Sequence, residues 1–126
     1  MKKRSRKTLV RLLDQKASSD ARKRHLYTHT NELCQFCYLR FSRVQTATQC
    51  FHILSRKSYS TRWLPENCFW SCASCNIRYE QDADFVSRVI DWYKEKFGAK
   101  QWDWLSVSYH TPIPIKDWEL EEKLNA

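Results

Sequence analysis

The clearest periodicity in the chain is at Phe85, Val86, Val89, Ile90, Tyr93 and Phe97, where apolar side chains recur every three to four positions. That spacing predicts an amphipathic helix, with Asp82 placed to cap its start and Gly98 to end it. A weaker stripe, Leu9, Val10, Leu12 and Leu13, predicts a helix capped by Thr8, and a second short helix starts near Ser19 or Asp20 and runs through Arg22, Lys23 and Arg24. From Asn31 to about Ile53 the helical period disappears. Short runs of aromatic and β-branched residues there read as two short hairpins, followed by an ordered Ser-, Thr- and Arg-rich loop over 54–65. Residues 72–79 open another helix, 100–107 give a turn or two broken at Pro112 and Pro114, and 116–124 form a terminal helix. The pattern is α+β, with a basic arm over 1–30, a central core over 31–98 and a helical extension over 99–126.

Composition changes this picture in two places. A single Gly and three Pro in 126 residues argue against a turn-rich β-protein or a low-complexity chain and leave room for one modest core. The net charge of +8 is unevenly placed: residues 1–24 carry all of it, 25–78 carry +4, and 79–126 carry the balancing −4. A basic arm before a mildly basic centre fits a polyanion partner better than a tail that serves solubility alone. No apolar run approaches the roughly 20 residues of a membrane span, and no signal-type apolar stretch follows the charged N-terminus. The expectation is an intracellular protein with no membrane partner.

In a reducing compartment, six cysteines favour metal over disulfides. Four of them form two pairs, Cys34-Gln35-Phe36-Cys37 and Cys72-Ala73-Ser74-Cys75. Each pair sets two thiolates on one tight turn, so the two together suit a tetrahedral structural Zn2+. A thiol–disulfide redox motif is the rival, but no thioredoxin-like strand and helix pattern accompanies it. Cys50 and Cys68 read as small buried hydrophobes.

The 34 residues between the pairs are too many for a compact zinc ribbon, so the metal must pin a substructure at both ends. That stretch holds His52 and, after Pro65-Glu66, Asn67; Asn76 follows directly on the last cysteine. The run His52 … Glu66-Asn67 … Cys72-x-x-Cys75-Asn76, with its partner Cys-x-x-Cys upstream, resembles the HNH (ββα-metal) endonuclease family. Within that family it is most similar to the phage NinG/Rap-like recombination nucleases. The resemblance implies a small zinc-stabilised ββα-metal core with flanking helices and a metal-dependent cleavage of double-stranded or branched DNA. It further implies a bacterial or phage-infected cytoplasm and a homodimer where junctions are resolved. His52 would be the general base, Asn67 would fix the loop and orient the His52 ring, and Asn76 would offer its amide oxygen to a catalytic Mg2+ or Mn2+. Phe51 stands where many HNH enzymes carry a metal-binding Asp or His.

Arg56, Lys57 and Arg62, together with Arg22, Lys23 and Arg24 of the arm, are the candidate phosphate contacts. Two other readings compete: a non-catalytic zinc-stabilised nucleic-acid-binding adaptor, and a protein-interaction module using Trp102, Trp104 and Trp118.

Overall fold

A computed structural model describes residues 3–126, so Met1 and Lys2 of the basic arm lie outside the described residues. The architecture is mixed: five helices around one two-stranded antiparallel sheet.

Helix α1 spans Arg6–His29 without interruption. Its cap is Ser5, whose hydroxyl accepts from the Thr8 backbone N–H, so the expected start at Thr8 and the expected break near Ser19 are both corrected. The reason is visible in its buried side: Leu9, Leu13, Ala17, Ala21 and His25 fall four residues apart and form one continuous stripe. Two small residues in that stripe let the helix lie close against the sheet, where Ala17 and Ala21 meet Cys68. Tertiary packing carries the helix through a Ser-Ser pair that its own propensity would not favour. Thr30, at φ 56°, ends it in the left-handed region, with its N–H bonded to Leu26.

The two hairpins expected over 31–53 are replaced by something more spread out. That stretch keeps only an isolated bridge, Leu33 to Thr46, and a 3-10 turn over Cys37–Arg40. Strand β1 (Gln49–His52) instead pairs antiparallel with β2 (Cys68–Ser71) across the intervening loop. The register sets Phe51 opposite Phe69 and His52 opposite Cys68. Side chains alternate across a strand, so Phe51 and Phe69 face one way and Cys50, His52 and Cys68 the other. Phe51 is fully buried against Phe36 and Tyr79, each with ring centroids 4.6 Å away. Burying such a side chain is worth about 1.5–3 kcal/mol, which a one-residue slip would forfeit.

Past the sheet the chain follows the expected pattern closely. Cys72 caps α2 (Ala73–Tyr79), and Asp82 caps α3 (Ala83–Phe97) by accepting from the Asp84 and Phe85 backbone N–H groups. Phe85, Val89 and Tyr93 of α3 are fully buried, in the same core as Phe36 and Phe51. Gly98, at φ 94°, turns the chain between α3 and α4 (Ala99–His110), a conformation that a side chain would strain. Helix α4 runs longer than expected and buries Leu105. Helix α5 (Asp117–Asn125) buries Leu120 against Leu9 and Leu13 of α1, tying the two ends of the chain together. Among the described residues, no helix is long and apolar enough to cross a membrane.

Candidate metal centre and the adjoining cleft

The four paired cysteines meet. Cys34, Cys37, Cys72 and Cys75 are each at most 5% exposed, and their sulfurs all lie within 4.8 Å of one another. The Sγ–Sγ separation is 3.6 Å for Cys37–Cys72 and 3.8 Å for both Cys34–Cys75 and Cys37–Cys75. A tetrahedral ion with Zn–S bonds of about 2.3 Å has S–S edges of about 3.8 Å, so the four thiols can hold a metal such as zinc. Backbone groups already point at them, with Phe36 N–H donating to Cys34 Sγ and Cys75 N–H to Cys72 Sγ, both at 3.4 Å. The neighbouring Cys75 thiol pulls Cys34 down to about 5, while Cys34 in turn pushes Cys75 up. Cys34 is thus held toward the thiolate form that a metal ligand requires.

On the other face of the sheet, a cleft of about 1120 Å³ runs between α1, the sheet and the end of α4. His52 and Asn76 both line it, as do Asp14, Cys50, Arg56 and Tyr109. The His52 ring is held by the Arg62 backbone carbonyl, 2.9 Å from Nε2. A carbonyl only accepts, so Nε2 carries the hydrogen and Nδ1 keeps its lone pair. Burial pushes the His52 pKa below the ordinary imidazole value, against the raising effect of that carbonyl.

Asn67 is fully buried and clamps the loop from inside. Its Oδ1 accepts from Leu54 N–H at 2.7 Å, while Nδ2 donates to the Leu54 and Thr61 carbonyls at 2.9 and 3.1 Å. It does not touch His52; Arg62, the residue after Thr61, orients the ring. Asn76, on α2, donates through Nδ2 to Gln49 Oε1 at 3.0 Å and to the Cys50 carbonyl at 3.4 Å, and among the described residues nothing donates to its Oδ1. Phe51 lies in the core, so the position before His52 presents nothing to the cleft.

The candidate phosphate contacts divide. Arg56 is exposed on the cleft wall, and Lys57 is exposed without lining it. Arg62 is committed elsewhere: its Nε and Nη2 donate to the Asp14 carboxylate at 3.0 and 2.8 Å. Trp63 Nε1 donates to the same carboxylate at 2.8 Å. Burial alone would raise Asp14, but these hydrogen bonds outweigh it and hold the group below the usual carboxylate range. Arg22 lines the cleft while paired with Glu32, Arg24 turns inward to the Cys68 carbonyl at 3.0 Å, and Lys23 is exposed away from both. Successive helical residues lie ~100° apart, so the three never form one basic surface.

Sequence reasoning named Arg22 but missed the rest of the α1 wall, which runs through Arg11, Gln15, Ser18, Ser19 and Arg22. Their spacing of four, three, one and three is a helical face, legible only once α1 is read as one helix. Cys50 and Cys68 read as core residues, Cys50 less clearly because it stands two residues from His52, and the structure brings both to that ring: a ligand atom from each of the three lies within 4.8 Å of the others. Cys68 is buried as expected, whereas Cys50 reaches the cleft. Comparison with protein-family models, curated proteins and solved structures finds no significant match for this chain.

Proposed function

We propose that the chain is a metal-dependent DNA endonuclease of the HNH type, with the His52 imidazole as its general base. The observation that carries this reading is the His52–Arg62 carbonyl bond at the wall of a cleft. It fixes one ring nitrogen as donor and leaves the other as a base beside Asn76 and Arg56. Histidine is suited to the task because its proton affinity lies near neutral pH.

Hydrolysis of a phosphodiester requires water to lose a proton as its oxygen bonds to phosphorus and the P–O bond to the leaving group breaks. Nδ1 of His52 takes that proton. Arg56 faces the scissile phosphate from the cleft wall, and Arg11 of α1 holds a flanking one. A divalent cation, Mg2+ or Mn2+, would supply charge neutralisation at the phosphate and the leaving oxygen. Asn76 Oδ1 is the side-chain oxygen available to it, with Glu80 also on the cleft. An uncharged amide binds such an ion weakly, so the substrate phosphate completes the site. The motif resemblance to phage recombination nucleases alone extends the reading to branched DNA and a homodimer.

The test is cleavage of linear, nicked and branched DNA with Mg2+ or Mn2+, wild type beside His52→Ala. Cutting by the wild type alone, with both proteins equally folded, supports the reading. Salt-sensitive binding without cleavage in either protein would select the non-catalytic adaptor instead.

A further inference from the structure

A base mechanism needs only the His52 imidazole and leaves its two sulfur neighbours, Cys50 and Cys68, without a role. We propose that these three residues form a second metal site, distinct from the four-cysteine cluster, that takes a borderline-soft divalent ion such as Zn2+ at the cleft wall. The strand register creates it. His52 stands directly opposite Cys68, and Cys50 lies two residues back along β1 on the same face. Their donor atoms gather within 4.8 Å of one another, the compactness a single ion requires.

The surroundings are those of a ligand set already aimed. The Arg62 carbonyl accepts from His52 Nε2 at 2.9 Å, which leaves Nδ1 for the ion, and from the Cys68 thiol at 3.4 Å, a bond that thiol gives up with its proton when a metal binds. A histidine ligand usually gives its second nitrogen to such a partner, which fixes its orientation and raises its basicity. Two thiolates and one imidazole select Zn2+ over Mg2+. Binding releases both thiol protons, and the resulting neutral cluster sits comfortably near Arg24 and Arg56. Cys50 and His52 line the cleft, so a fourth position is open to water or an incoming ligand, unlike the closed four-cysteine site.

The occupancy has a consequence that rests on the proposed nuclease reading: zinc on the imidazole removes the base, so free zinc switches cleavage off. The binding itself does not depend on that reading, and the experiment separates the two. The full-length protein, kept reduced with a phosphine, is titrated with Zn2+ against a competing chromophoric chelator, and in parallel with Co2+ to follow thiolate-to-metal charge transfer. Wild type should take up two equivalents, the second with lower affinity and with added charge-transfer intensity. Cys50→Ser/Cys68→Ser should stop at one equivalent. His52→Gln should weaken the second by at least the roughly 10–100-fold that loss of an outer-shell partner costs. Should the double variant lose its first equivalent through unfolding, Cys50→Ser alone, at a partly exposed position, must still lose the second. A wild type that saturates at one equivalent, or a second equivalent that survives Cys50→Ser, overturns the site whether or not the protein cuts DNA.

Discussion

The two ends of one short hairpin carry two cysteine clusters with opposite designs. At the Gln49–Ser71 end the chain runs straight into Cys72, whose cluster is sealed: four sulfurs, each at most 5% exposed. At the His52–Cys68 end the donors are two sulfurs and an imidazole, with Cys50 and His52 open to a cleft. Donor chemistry is similar, and what differs is closure. A full shell of four thiolates has no position for a substrate and contributes only to folding, whereas an incomplete shell beside a cavity can do chemistry.

The comparison breaks most visibly at the sealed end. Cys75→Ser, or a strong chelator, should unfold the central region, since structural zinc contributes about 10–16 kcal/mol in small domains, comparable with a whole protein's stability. Far-UV circular dichroism and bound zinc should fall together. Cys50→Ser, at the open end, should leave both the fold and the first zinc intact. His52→Ala comes next. Under the proposed mechanism it should lower cleavage by roughly 10²–10⁴-fold while leaving the circular dichroism spectrum unchanged.

Asn67→Ala should cost roughly 2–4 kcal/mol in urea unfolding, because it leaves the Leu54 N–H and two carbonyls without their partner. It should impair cleavage as well, since the Thr61–Arg62 backbone that seats His52 loosens. Asp14→Asn should be milder, about 1 kcal/mol once solvent screening of a partly exposed pair is allowed for. The smallest effect is on pH. Burial lowers the His52 pKa, so the neutral base persists below the ordinary value of about 6.5. Cleavage should therefore rise with pH through a midpoint below ~6.5, measured as the acid limb of kcat/KM.

What could be read from the chain follows from how local the determinant is. Cys34, Cys37, Cys72 and Cys75 declare themselves through spacing within each turn, and α3 through a stripe complete within its own residues. Asp82 and Gly98 mark its ends by local hydrogen bonding and φ. The pairing of β1 with β2 is not local. It depends on Phe51 and Phe69 finding one core after the cysteines close a long loop, and β1 alone is too short to show an unambiguous partner. The length of helix α1 is hidden for a related reason. Ser18 and Ser19 look like a boundary until Ala17 and Ala21 are seen to pack on the sheet. The cleft inherits both difficulties, since its walls come from α1, β1, α2 and α4. His52 and Asn76 could be found by motif order; Cys50 and Cys68 required the register.

Those two alanines act as spacers for the cleft. They let the helix carrying Arg11, Ser18 and Arg22 approach Cys68, so they set how near that wall of the cleft lies to the sheet. A bulkier residue at Ala21 would jack the wall outward and widen the groove without altering any donor in it. Under the proposed nuclease reading, the strand geometry that the groove admits would be tuned from beneath, by buried residues outside the groove lining.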